Sequence, residues 1–113
     1  MSDIGFIGLG IMGSPMAGQL MKGGHRVHLQ SRSGVPQALT DAGGVRCTSG
    51  KEVTQKSEIV FTMVPDTPHV EAVLFGADGV AAGLAKGKTV VDMSSISPLA
   101  TKEFAQKIAA LGC

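Results

Sequence analysis

The residues with the clearest chemical potential lie near the amino terminus. Gly8-Leu9-Gly10-Ile11-Met12-Gly13 matches the pattern G-x-G-x-x-G. Such a match carries weight only when it leaves a strand and opens a helix within a strand–helix–strand unit, and the flanking residues meet that condition. Asp3-Ile4-Gly5-Phe6-Ile7 is a short apolar run that reads as a buried parallel strand. Downstream, Met12, Met16, Leu20 and Met21 recur near helical spacing, and Pro15 fits the first turn of a helix, where its missing N–H is not needed. Each glycine then has a physical role. Gly8 permits the tight turn, Gly10 lets an anion approach the backbone, and Gly13 lets helix and strand pack closely. The unpaired N–H groups and positive dipole end of the helix suit a pyrophosphate. These observations point to a dinucleotide, with Gly8, Leu9, Gly10, Ile11, Met12 and Gly13 as the binding turn.

A second set of residues follows the next apolar run, Arg26-Val27-His28-Leu29-Gln30. A fold of this kind that selects NAD(H) usually carries Asp or Glu here, to hydrogen-bond the ribose 2′-hydroxyl. The chain instead has Ser31-Arg32-Ser33. The guanidinium of Arg32 can pair with a 2′-phosphate, and the two hydroxyls can add donors. NADP(H) is therefore favoured, with NAD(H) possible. The alternative for Arg32 is a solvated loop residue.

The elements that position these groups can be read along the chain. Gly23-Gly24 is a helix stop, and a short helix runs from Gly34-Val35-Pro36 through Ala42 to Gly43-Gly44. Val45–Cys47 reads as a brief third strand, and Ser49–Gln55 as a helical turn. Glu58–Val64 reads as a fourth strand ended by Pro65, and Thr67–Leu74 as a helix with Pro68 in its first turn. A glycine-rich loop from Gly76 to Gly87 precedes a fifth strand, Lys88–Met93. A last helix starts at Pro98, with Ser97 as N-cap and Leu99, Phe104, Ile108 and Leu111 on its apolar face. Alternating strands and helices predict an α/β domain: a doubly wound parallel sheet of Rossmann type in the order 3-2-1-4-5. Residues 1–113 form one such domain, and the alternation calls for a further strand after Cys113, so the domain is expected to be incomplete at that end.

Bulk properties narrow the partners. With 113 residues, 43% apolar and 17% charged, the chain has the composition of a folded domain rather than a disordered tail. A net charge of +1, with scattered Lys and Arg, gives no footprint for nucleic acid or an anionic membrane. No apolar run approaches the ~20 residues of a membrane helix, and no signal peptide is visible. Cys47 and Cys113 read as reduced thiols of a cytoplasmic protein. His25, His28 and His69 have no metal spacing. His28 reads as a packing or hydrogen-bonding residue, and Asp92 as a brace for the loop that carries Ser94 and Ser95.

Three stretches carry a family resemblance. Phe6 to Ala17 resembles the opening signature of the β-hydroxyacid dehydrogenases, a group that includes 3-hydroxyisobutyrate dehydrogenase and tartronate semialdehyde reductase. Met63-Val64-Pro65-Asp66-Thr67-Pro68-His69-Val70 and Val91-Asp92-Met93-Ser94-Ser95-Ile96-Ser97-Pro98 are similar to the reductase branch. The resemblance implies that Val64 and Pro65 line the adenine-ribose side of the cofactor. It places Ser95 beside nicotinamide and substrate. It also implies hydride transfer to a small 3-oxo acid in a homo-oligomeric parent protein. The family's catalytic Lys and Gly-rich substrate motif, with an all-helical second domain, match nothing here, so no catalytic residue is expected in this chain. Lys102 and Lys107 read as solvated. Gln19 stands where the family often has Asn. Taken alone, Pro65 also reads as a strand terminator and Ser95 as a cap. Competing readings are a 3-hydroxyisobutyrate dehydrogenase or imine reductase cofactor domain, and a non-catalytic dinucleotide-binding module.

Overall fold

The computed structural model describes residues 3–8, 13–31, 34–63, 67–93 and 98–113. The described elements are β1 (Asp3–Ile7), α1 (Gly13–Lys22), β2 (Arg26–Gln30), α2 (Gln37–Asp41), β3 (Val45–Arg46), α3 (Gly50–Lys56), β4 (Ile59–Thr62), α4 (Thr67–Phe75), α5 (Val80–Gly83), β5 (Thr89–Asp92) and α6 (Pro98–Ala110). All strand pairs are parallel, and the sheet runs β3-β2-β1-β4-β5, as the alternation predicts.

Strand alternation separates two cores. Phe6, Val27 and Leu29 face α1 and α2 through Ala17 and Leu39, with Met16, Leu20 and Met21 packed against them. Ile7 and Val60 pack with Val53, Val70, Leu74, Val80 and Phe104, residues of α3, α4, α5 and α6. Helices thus cover both faces, which is why the inner strands are apolar on both sides. Gly5 lies on the α3 face of β1, and a Cβ there would come within 2.5 Å of Val53 Cγ1 and 2.9 Å of Ser57 Oγ. The small residue lets α3 lie directly on the central strand.

Local chemistry sets the helix ends. Gly24, at φ 89°, ends α1 in a conformation that L side chains rarely adopt. Ser49 caps α3 by accepting the Glu52 N–H at 3.1 Å, and Glu52 reaches back to the Thr48 N–H at 2.8 Å. That backbone bond is the main cause holding the Glu52 carboxyl below its ordinary pKa. At the other end of α3, the Lys88 ammonium donates to the carbonyls of Thr54 (2.6 Å), Gln55 (3.2 Å) and Ser57 (2.7 Å). It meets the negative end of the helix and satisfies acceptors left open by the last turn. Lys88→Met is therefore expected to lower the melting temperature by about 5 °C, on the order of one charged hydrogen bond. Lys102→Met, at an exposed position, is the control and should leave it unchanged. Equal melting of both variants would show that the Lys88 contacts contribute nothing.

Two expectations need correction. The segment from Gly76 to Gly87 is not loop throughout, because α5 forms within it. Four residues are too few for a periodic signal. The turn is held from outside, by full burial of Val80 and by Gly83, whose missing side chain lets the Lys51 carbonyl of α3 approach. On α6, Phe104 and Ile108 are buried, but Leu99 and Leu111 are 68% and 47% exposed. At about 100° per residue, Leu99 points away from the Phe104–Ile108 stripe, and Leu111 follows the end of the helix. Lys102 and Lys107 are exposed, yet Lys107 Nζ lies 5.0 Å from the centre of the Phe75 ring.

Candidate dinucleotide-binding crevice

In a parallel sheet the carboxyl ends of the strands share one edge. Here Ile7 pairs with Gln30 and with Thr62, and Thr62 pairs with Asp92. The chain segments that follow β1, β2, β4 and β5 all leave from this edge. Between β1 and β4 the strand order reverses direction, and in open α/β sheets ligands lie in the crevice at that point.

At the centre of this edge, Gly8 has φ 95°, and its N–H donates to the Gln30 carbonyl at 3.1 Å. The next described residue is Gly13, where α1 begins. The first turn of α1 carries no acidic residue, so nothing there opposes an anion at the positive end of the helix dipole. Ala17, fully buried, packs one turn further along α1 in the Phe6 core.

Beside it, at the end of β2, Ser31 is half-buried, and its carbonyl accepts the Gly34 N–H at 3.1 Å. The carboxylate near β2 is at the opposite end of the sheet: Asp3 Oδ1 lies 3.1 Å from His28 Nε2 and 3.9 Å from Arg26 Nη1. His28 is buried and hydrogen-bonded, as expected, with Nδ1 lacking a partner among the described residues.

Of the sequence-predicted site residues, the structure brings Gly8, Gly13 and Ser31 to the same edge. Leu9, Gly10, Ile11, Met12, Arg32, Ser33, Val64, Pro65 and Ser95 lie outside the described residues, as do Ser94 and Ser97. Asp92, read from sequence as a brace for its own loop, accepts a hydrogen bond from Thr62 Oγ1 at 3.1 Å across the β4–β5 pair. Thr62 is fully buried, and sequence reasoning did not single it out. Its signal was a polar residue ending an otherwise apolar strand.

Among the described residues, the other reactive groups do not assemble into a second centre. Burial pushes the Cys47 thiol pKa up, helped by the charge of Glu52, which disfavours a thiolate. Cys113 Sγ lies 3.1 Å from the Ala85 carbonyl, and neither cysteine forms a disulfide. Among the described residues no three His, Cys, Asp or Glu side chains form a metal-binding group, and no helix is long and apolar enough to cross a membrane.

Comparison with known proteins identifies the family of the chain. The sequence pattern of the NAD binding domain of 6-phosphogluconate dehydrogenase matches residues 3–113. The 2-hydroxy-3-oxopropionate reductase of Escherichia coli K12 is 51% identical over 109 residues, covering 96% of this chain and 37% of the reductase. The 3-hydroxyisobutyrate dehydrogenase of Pseudomonas aeruginosa is 37% identical over 115 residues, covering 99% of this chain and 38% of that enzyme. Among solved structures, Psf3 in complex with NADP+ and 2-OPP superimposes with a TM-score of 0.90 at 29% identity, covering 96% of this chain and 39% of the other. The chain thus spans a little over a third of the length of the curated relatives it matches.

Proposed function

Because this chain belongs to the family of the NAD binding domain of 6-phosphogluconate dehydrogenase, and within it to the 3-hydroxyisobutyrate dehydrogenase group, we propose that its crevice holds NADP(H) in preference to NAD(H), for the reduction of a small 3-oxo acid. The observation that carries the reading is Gly8, at φ 95° directly after the central strand β1 and ahead of α1 in the chain. Gly8 to Gly13 would hold the pyrophosphate, and Ser31, Arg32 and Ser33 the 2′-phosphate. Val64 and Pro65 would lie along the adenine ribose, and Ser95 beside nicotinamide and substrate. When bound, the cofactor would supply the hydride for the aldehyde carbon. The chain's own contribution is to bind and orient it through backbone N–H groups at a helix start, with no side-chain charge needed there.

The substrate closest to this reading is 2-hydroxy-3-oxopropionate, reduced to glycerate. The 51% identity to the reductase supports that branch over the 37% identity to the isobutyrate enzyme. The alkoxide formed by hydride addition needs a proton donor within hydrogen-bond reach. By family resemblance that group is a Lys outside these 113 residues, so the chain alone should bind cofactor without turnover. The test is a pair of titrations with NADPH and NADH, repeated for Arg32→Asp. NADPH should bind more tightly, and the substitution should weaken it about tenfold more than NADH, through a lost charge pair and a new repulsion. Equal affinities, or tighter NADH, would reassign the cofactor. Substrate-dependent NADPH oxidation by the 113-residue chain would place the proton donor inside it.

A further inference from the structure

Thr62 and Asp92 are the last residues of β4 and β5, and they face each other in register. The backbone already joins the strands there, with the Met93 N–H donating to the Thr62 carbonyl at 2.8 Å. The side chains add a second tie, from Thr62 Oγ1 to Asp92 Oδ1 at 3.1 Å. Thr62 has no exposed surface, and Asp92 is half-buried beside a groove of about 310 Å³ lined mainly by Leu74, Val90, Phe104, Ala105 and Ile108. Polar groups in apolar surroundings carry a desolvation cost, which an ordinary apolar strand end would avoid. The cost falls at the carboxyl ends of β4 and β5, beside the point where the strand order reverses.

We propose that the Thr62–Asp92 hydrogen bond is a positioning clamp for the dinucleotide, fixing the separation of the carboxyl ends of β4 and β5 at the edge of the crevice. Neither residue touches the ligand in this role. The inference rests on the reading of the crevice as a dinucleotide site. It adds two positioning residues on strands, where geometry is held more rigidly than on loops.

The experiment uses the 113-residue chain with NADPH as the probe. Thr62→Val removes the hydroxyl at nearly constant shape, Thr62→Ser keeps it, Asp92→Ala removes the acceptor and Asp92→Asn keeps an acceptor oxygen. Dissociation constants and melting curves are measured for each. The clamp predicts NADPH binding about three- to tenfold weaker in Thr62→Val and Asp92→Ala, the scale of one hydrogen bond. It predicts near wild-type binding in Thr62→Ser and Asp92→Asn, and a double variant Thr62→Val/Asp92→Ala no weaker than either single one. Lower melting temperatures with unchanged dissociation constants would overturn the clamp and leave a purely structural bond. Loss of affinity in Asp92→Asn equal to that in Asp92→Ala would also overturn it, by assigning the effect to charge. Should Thr62→Val fail to fold, Asp92→Ala, altered at the more exposed partner, decides alone. Absence of saturable NADPH binding by the unaltered chain would overturn the dinucleotide reading itself, and the clamp with it.

Discussion

Gly8→Val is expected to weaken NADPH binding at least about 100-fold, a loss near 2.7 kcal/mol. At φ 95° a β-branched side chain is strained by about 1–3 kcal/mol. The strain cannot be relieved locally without cost. The Gly8 N–H is tied to the Gln30 carbonyl at 3.1 Å, and Ile7 before it is buried in the sheet. Relief therefore comes from a changed path between Gly8 and the start of α1. That path determines where the backbone N–H groups lie relative to a bound pyrophosphate. In the proposed site those groups hold one anion together, so misplacing the turn would affect several hydrogen bonds at once. Isothermal titration with NADPH reads the change directly, and a melting curve of the free chain separates it from unfolding. A folded Gly8→Val chain that keeps wild-type affinity would show that the anion is held elsewhere.

Gly5→Leu should leave the chain unfolded, and Gly5→Ala should lower the melting temperature by about 10 °C. Even a methyl group at this position would meet Val53 Cγ1 at 2.5 Å and Ser57 Oγ at 2.9 Å. Neither neighbour has room to yield. Val53 is fully buried in the core, and Ser57 Oγ donates to the Val53 carbonyl at 2.6 Å. The helix must shift, and overpacking of this kind costs about 1–3 kcal/mol for small additions. A domain of this size has only about 5–15 kcal/mol in total. Leucine adds three more carbons at the centre of the sheet, between β2 and β4. Circular dichroism and differential scanning calorimetry on both variants provide the check. A wild-type melting curve for Gly5→Leu would mean that α3 does not lie against β1 as described.

What could be read in the sequence follows the range of the interactions involved. The alternation of strands and helices, the sheet order and the Gly8 turn were legible, because each rests on local pattern: apolar runs, glycines at fixed spacing, and prolines in first turns. Ser49 caps α3 and Glu52 reaches back to the Thr48 N–H just before it, a local signal equally open to sequence reading. The features that escaped depend on contacts between distant segments. The four-residue helix α5 is stabilised by Val80 in the core and by the approach of Gly83 to α3, neither of which leaves a periodic trace. Lys88 reads as one more scattered cation until the fold carries it to three carbonyls more than thirty positions earlier. The Thr62–Asp92 bond likewise joins residues 30 positions apart. Leu99 departs from expectation for a different reason: apolar character alone predicts burial, but its angular position on α6 places it opposite Phe104 and Ile108. In the candidate site, Gly8 was readable because its backbone geometry limits which residue can stand there. Arg32 and Ser95 rest on side-chain chemistry and family resemblance.

The most direct test of a dinucleotide site at the carboxyl ends of the strands is to map NADPH onto the isotope-labelled chain by amide chemical-shift changes. The chain has no Trp or Tyr, so the emission of NADPH itself can report occupancy in parallel. Saturable changes are expected at Gly8, Gly13, Gln30, Ser31, Thr62, Met63 and Met93. The opposite strand ends, at Asp3, Arg26, Ile59 and Thr89, should remain unperturbed. Saturable changes confined to those opposite ends, or no saturable change at concentrations where full-length relatives bind cofactor, would contradict it.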